Sequence, residues 1–266
     1  MSEAPLRRQN FGNRMDCFQL TPDVTFVKEH RLSLKQRIAL SLYARFIGSK
    51  PRMERHAKEE KYKGLLASFG LFYFEDGWTV PPKGIKPNSN LLNVGFFQSE
   101  KYFADYKEQI LKELQFKDNV KTSVAELATK IQTATEATCL HVRLGDYVKN
   151  PLHGVADASY YRRALEKLKQ LRPNATIFLF SDNTELAKAE LRLDDDVYVI
   201  PSTVDDQQTM YLGSLCRNFI ISNSSFSWWM QYLSSDDDRI VIAPSRWYAQ
   251  PCPCDIYQDG WTLIEV

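Results

Sequence analysis

Cys139-Leu140-His141-Val142-Arg143-Leu144-Gly145-Asp146-Tyr147 is an apolar run that ends abruptly in His, Arg, Gly and Asp. It reads as a buried strand over Thr138–Val142 that delivers a cation and a carboxylate to its C-terminal end. In open α/β sheets, ligands bind in the crevice beyond that edge. Arg143 suits an anion, because its planar fork donates several hydrogen bonds at once. Gly145 lets the backbone turn sharply or approach a neighbour closely. Read alone, the same residues also fit a structural ion pair at a strand end.

The rhythm extends on both sides. Residues 123–133 carry Ser123 with Glu126, a capping-box pattern, and apolar Val124, Leu127, Ala128 and Ile131 at helical spacing. After Asn150-Pro151 and Gly154, a helix starts at Ser159 and ends before Pro173. Residues 175–180 form a short apolar strand that stops at Ser181-Asp182-Asn183. A helix over Thr184–Leu191 leads to a strand at 197–200. Helical residues 207–215 lead to a strand at 219–221. That strand ends in Ser222-Asn223-Ser224-Ser225-Phe226-Ser227-Trp228-Trp229, which opens another helix. Residues 240–243 make a last strand, stopped by Pro244. Alternation on this rhythm implies a doubly wound parallel sheet.

Three strands thus end in polar clusters, His141/Arg143/Asp146, Ser181/Asp182 and Asn223/Ser224/Ser225, and a parallel sheet puts all three on one edge. Together they suit a nucleotide. Arg143 would neutralise a diphosphate. Ser224 and Ser225, with the N–H groups of the following helix, make an anion site. Asp182 or Asp146 would accept hydrogen bonds from a base or sugar. Trp228 and Trp229 are neighbours on a helix, about 100° apart, so they cannot share a face. One should pack into the sheet and the other should lie near the cleft or a domain junction.

The N-terminal half is less regular. Leu34, Ile38, Leu42 and Phe46 predict a helix over 33–47. Residues 49–64 are crowded with charge and read as a solvated helix or loop. Residues 65–74 read as a strand ending in Asp76-Gly77. Residues 93–98 read as a strand-to-helix corner with Ser99 as N-cap.

The 266 residues suit one large or two small domains, and 44% hydrophobic content suits a real core. A net charge of +1 gives no global field for nucleic acid or an anionic membrane. Five scattered cysteines, at 17, 139, 216, 252 and 254, are no disulfide framework and point to a reducing compartment. Cys252-Pro253-Cys254 lacks zinc-knuckle spacing. The triplets at 194–196 and 236–238 contain D-x-D. They precede strands, so they belong on the opposite edge as solvated turns. No G-x-G-x-x-G or G-x-x-x-x-G-K-[ST] loop is present. No run is long enough for a membrane span, and Met1-Ser2-Glu3-Ala4-Pro5-Leu6-Arg7-Arg8 has no signal-peptide core. The expectation is a soluble, cytoplasmic protein, with a peripheral place at the inner face of the membrane as a compatible variant.

His141-Val142-Arg143-Leu144-Gly145-Asp146-Tyr147 resembles the H-x-R-x-G-D-Y motif of glycosyltransferase family 11, the α-1,2-fucosyltransferases. Phe178-Leu179-Phe180-Ser181-Asp182 is similar to that family's second motif. Ser222 to Trp229 is similar to its N-S-[ST]-[FY]-S-W-W segment, and Ala243-Pro244-Ser245-Arg246-Trp247 to its closing A-P-x-x-W. Gly95-Phe96-Phe97-Gln98 with Tyr102-Phe103, and Phe18-Gln19-Leu20, agree as well. The family's opening G-G-x-G-N-Q unit has no counterpart here, so the N-terminal part is expected to be incomplete.

The resemblance implies a GT-B-like α/β fold. Residues 136–266 would be a Rossmann-like domain holding GDP-fucose, and residues 1–135 a smaller acceptor-side region. It implies transfer of L-fucose, with inversion, to the 2-hydroxyl of a galactose-terminated glycan, in surface-glycan or O-antigen synthesis. Arg143, Asp146 and His141 would be catalytic. Arg143, Ser181, Asp182, Asn223, Ser224, Ser225, Phe226 and Ser227 would bind the donor. No metal or other cofactor is expected, and no nucleic acid. A sugar-nucleotide-binding protein with little or no transfer activity is the alternative.

Overall fold

The apolar strands and amphipathic helices form two compact units, residues 25–107 with 250–259, and residues 1–24, 108–249 and 260–266. The computed structural model describes residues 14–22, 24, 32–74, 92–95, 99–145, 151–194, 196–250 and 254–266.

In the first unit, α1 (Leu34–Tyr43) starts at a capping box. Ser33 Oγ accepts from the Gln36 N–H at 3.2 Å, and the Gln36 side chain accepts from the Ser33 N–H at 3.0 Å. It runs on as a π-helical turn, Ala44–Gly48. α2 (Arg52–Ser68) follows Pro51 and packs back. The core is Ala39, Tyr43, Ile47, Leu66 and Leu71, and the Tyr43 hydroxyl donates to the buried Glu59 carboxylate at 2.5 Å. The stripe that betrays α1 in the sequence lies on its open side. Leu34, Ile38, Leu42 and Phe46 are 72%, 48%, 50% and 56% exposed. Periodicity identifies a helix but not which of its faces is covered.

The strand expected over 65–74 begins only at Leu71. α2 runs to Ser68, and Gly70, at φ 81°, turns the chain out of it. β1 (Leu71–Phe74) pairs in parallel with β2 (Leu92–Gly95). Asp76, Gly77 and residues 96–98 lie outside the described residues. Ser99 caps a 3-10 turn, Glu100–Tyr102, by accepting from the Lys101 N–H at 3.3 Å.

After α3 (Lys107–Glu113), the second unit departs from expectation at its first helix. The helix read over 123–133 is two helices, α4 (Asp118–Ser123) and α5 (Ala125–Thr133), broken at Val124. Ser123 Oγ donates to the Val120 carbonyl at 2.7 Å, so it forms no capping box with Glu126. The alternation then follows: β3 (Thr138–Val142), α6 (Ala158–Leu171), β4 (Ile177–Ser181), α7 (Thr184–Leu191), β5 (Tyr198–Val199), α8 (Asp206–Ser214), β6 (Asn218–Ile220), α9 (Ser225–Tyr232) and β7 (Val241–Pro244). A final strand, β8 (Thr262–Ile264), has half-exposed residues and gave no clear sequence signal. This unit takes in residues 108–135, which the sequence reading assigns to the N-terminal region.

All six strands are parallel, in the order β5-β4-β3-β6-β7-β8. The chain winds outward from β3 through β4 to β5, then returns beside β3 and winds the other way. The direction reverses between β3 and β6, and a crevice opens beyond the C-terminal ends at such a point. The sheet is Rossmann-like α/β. Leu140, Leu179, Ile220 and Ile242 on its four central strands pack on Tyr160, Tyr161, Ala164 and Leu168 of α6, all 1% exposed or less. Burying each such aliphatic side chain contributes about 1.5–3 kcal/mol. The Tyr160 hydroxyl donates to the Ile221 carbonyl at 2.6 Å, pinning α6 where the sheet reverses.

Candidate active site

A cleft of about 610 Å³ opens at the C-terminal edge of the sheet, on both sides of the reversal point. β3 brings His141 and Arg143 to it, β4 brings Ser181 and Asp182, and the start of α9 brings Ser224, Ser225 and Phe226. Sequence reasoning missed a fourth wall, residues 200–202 and Val204 after β5 with Asp206, Thr209 and Met210 of α8. Its signal was present. β5 also ends at this edge, and Asp205 with Gln208 forms a capping box that starts α8 there.

Arg143 Nη1 lies 3.3 Å from Asp182 Oδ2, with side chains 35% and 23% exposed. At that exposure the pair itself contributes only about 0–1 kcal/mol. Its consequence is orientation. Asp182 Oδ1 also accepts from the Leu144 N–H at 2.9 Å, so one carboxylate ties the end of β4 to the end of β3 and aims the guanidinium. Gly145 has its reason here. A Cβ on it would come within 2.4 Å of Asp182 Oδ2. Ser181 Oγ accepts from the Asn183 N–H at 3.1 Å, turning the chain into α7.

His141 is 5% exposed and lines the cleft with only a sliver of its ring. Its Nδ1 is 3.3 Å from Ser222 Oγ, which is 3.1 Å from Ser227 Oγ. The Ser227 hydroxyl lies 3.0 Å from the Ser224 carbonyl, so this chain of contacts runs from β3 to the first turn of α9. Ser224 caps that turn by accepting from the Phe226 N–H at 3.3 Å. Burial, then the neighbouring Arg143 charge, lowers the His141 pKa to about 4, against a raising pull from Asp182. The imidazole is neutral at pH 7. Tyr161, beside Ser222 and the Arg143 backbone, is pushed above the usual phenol range by burial.

A stability prediction follows. Above pH 6.5, His141 is neutral in both folded and unfolded chains and has no effect. As pH falls from 6.5 to about 4, the unfolded chain takes up the proton first and stability drops, ultimately by on the order of 3 kcal/mol. His141→Gln removes this group. Its melting temperature should fall less between pH 7 and pH 4 than that of the wild type. Equal falls in the two proteins would show that His141 is not held neutral.

Two expected donor-binding residues face elsewhere. Asn223 donates its amide to the carbonyls of His153 at 3.0 Å and Trp247 at 2.9 Å, and it lines a smaller cavity of about 180 Å³ that Arg143 borders too. Ser227 is fully buried beneath the α9 turn. Both shape the turn from behind. Asp146 lies outside the described residues. Trp228 is 4% exposed and stacks on Tyr232, with ring centroids 4.7 Å apart, while Trp229 is partly exposed and lines the cleft. Asp236 and Asp238 pair with Arg217 and Arg172, ahead of β7 and away from the cleft. Among the described residues no cluster of His, Cys, Asp and Glu could hold a metal ion.

Residues 85–265 match the model of glycosyl transferase family 11. The chain is 34% identical over 187 residues to an alpha-1,2-colitosyltransferase of Escherichia coli, covering 65% of this chain and 62% of that protein. It is 25% identical over 153 residues to a galactoside 2-alpha-L-fucosyltransferase of Caenorhabditis elegans, covering 54% of this chain and 43% of that protein. The chain thus spans less than two thirds of the length of either relative. Among solved structures, the fucosyltransferase NodZ from Bradyrhizobium is similar with a TM-score of 0.43 at 14% identity, covering 72% of this chain and 64% of that one.

Proposed function

The chain belongs to glycosyl transferase family 11, and from that premise we propose that it moves L-fucose from GDP-fucose to the 2-hydroxyl of a galactose-terminated glycan, with inversion, in surface-glycan or O-antigen synthesis. The observation that carries this reading is the gathering of Arg143, Asp182, Ser224 and Ser225 around one cleft at the reversal point of the sheet. The relative named for galactoside 2-alpha-L-fucosyl transfer supports the sugar and the acceptor position.

In this reading the donor diphosphate lies between the Arg143 fork and the first N–H groups of α9. As the bond from the sugar to the phosphate oxygen breaks, negative charge grows on the diphosphate. Arg143, aimed in advance by Asp182, stabilises that charge more than it stabilises the intact donor. The acceptor oxygen attacks the opposite face of the sugar, so the configuration inverts. Asp146 is the candidate base for the acceptor proton. His141 is a positioning residue, holding Ser222 and through it the α9 turn. Residues 136–266 hold the donor, and residues 1–135 contribute to the acceptor side. In this reading the protein works in the cytoplasm, and a peripheral place at the inner face of the membrane is compatible with it. No helix among the described residues is long and apolar enough to cross a membrane.

The chain is to be incubated with GDP-fucose and a terminal galactoside, and the product read by mass. A fucosylated product with release of GDP is expected. GDP binding without any product would make the chain a nucleotide-binding protein, and absence of GDP binding would end the reading. Arg143 supplies the cation that a divalent metal would otherwise supply, so the same rate is expected in excess chelator. Activity that returns only with added Mg²⁺ or Mn²⁺ would contradict that role.

A further inference from the structure

We propose that the outer face of α1 and α2 docks on an anionic phospholipid bilayer. This deepens the membrane placement proposed above but rests on no feature of the donor cleft. A groove of about 480 Å³ runs between the two helices. Leu42, Phe46, Leu65 and Phe69 on it are 50%, 56%, 58% and 37% exposed. Contiguous open apolar surface of this kind marks an interaction site. Among the described residues, the only charged side chains lining it are Arg45, Lys50 and Lys58.

The charge around the groove selects its partner. Residues 34–69 hold nine Lys and Arg against three Glu, a net of +6 in a chain whose total is +1. The Arg45 guanidinium lies 5.6 Å from the Phe46 ring centroid, and the Lys61 ammonium 5.3 Å from that of Tyr62. Cationic heads on long stems beside apolar anchors suit the boundary between headgroups and acyl chains. A second copy fits poorly, because a two-fold contact would set this positive face against itself. A bilayer offers acyl chains to Phe46 and Leu65 and phosphates to Arg45 and Lys50 in one surface.

The test is flotation of the full chain with vesicles of phosphatidylglycerol and phosphatidylcholine, or of phosphatidylcholine alone. Binding to the anionic vesicles is expected, weakening as salt rises, with none to the neutral ones. Arg45→Glu with Lys50→Glu should weaken binding at least about tenfold. Phe46→Ser with Leu65→Ser should do so by a similar factor, since it removes the apolar anchors. Arg45, Phe46 and Leu65 are exposed and Lys50 is half-buried, so melting temperature and GDP affinity should be unchanged in both variants. That separates failure of this surface from misfolding and from failure of the donor-site reading. No binding to anionic vesicles, or undiminished binding by both variants, overturns the proposal. So does a concentration-dependent dimer in ultracentrifugation that Phe46→Ser with Leu65→Ser dissolves, which would give the face to a second copy. Binding of an acidic peptide with no vesicle binding would give it to a protein partner.

Discussion

Arg143→Ala should lower GDP affinity at least about tenfold, roughly 1.4 kcal/mol. Fucosyl transfer should fall further, by about 10²–10³. The difference arises because diphosphate charge is greatest as the sugar departs. The substitution also leaves Asp182 facing the cleft without its cation, 3.3 Å from where the guanidinium was, and that uncompensated negative charge repels the ligand. Arg143→Lys keeps the charge but loses the planar fork, so it should recover only part of the loss. Arg143 is partly exposed and lies outside the core of β3, so circular dichroism and melting should barely change. Calorimetry showing equal GDP affinity in a folded Arg143→Ala protein would remove Arg143 from the site.

Trp228→Ala and Trp229→Ala should separate stability from binding. Trp228 is buried against Tyr232, so truncation should cost about 3–5 kcal/mol of stability. The fraction still folded should bind GDP nearly as before. Trp229 meets Trp228 edge-on at 5.1 Å and lines the cleft. Its truncation should weaken GDP binding more than it lowers the melting temperature. If both variants lose stability equally, and neither changes binding beyond that loss, this division of labour is wrong.

The sheet was legible because each strand carries its own punctuation. β3 and β4 are apolar runs closed by Arg-Leu-Gly and by Asp-Asn, and α7 and α9 begin at side chains that accept from their first turns, Asn183 and Ser224. Successive polar strand ends meet on one edge in any parallel sheet, so Arg143, Ser181, Asp182 and Ser224 were legible as a group. What was not legible is which acceptor each polar side chain takes up. Asn223 and Ser227 look identical in type to cleft residues, but the carbonyls of His153 and Trp247 take the Asn223 amide, and the Ser227 hydroxyl turns back to the Ser222 and Ser224 carbonyls of its own turn. Ser123 with Glu126 matches a cap, but a carbonyl three residues earlier takes the hydroxyl. The wall from β5 and α8 was legible as a strand and a helix but not as a site, because β5 runs out into Ile200-Pro201-Ser202, without the charged cluster that marks the ends of β3 and β4. The stripe on α1 gave the helix and hid its direction, since an apolar face open to solvent has the same spacing as one turned to a core.

The transfer proposed for this protein depends on the C-terminal edge of the six-stranded sheet holding the donor nucleotide. Hydrogen–deuterium exchange of the chain with and without GDP tests it most directly. Protection is expected only in the segments that end β3 and β4, the start of α8 and the first turn of α9, with α1 and α2 unchanged. Protection at the opposite edge around 194–196 and 236–238, or none at residues 143–145 and 224–227 at saturating GDP, would contradict it.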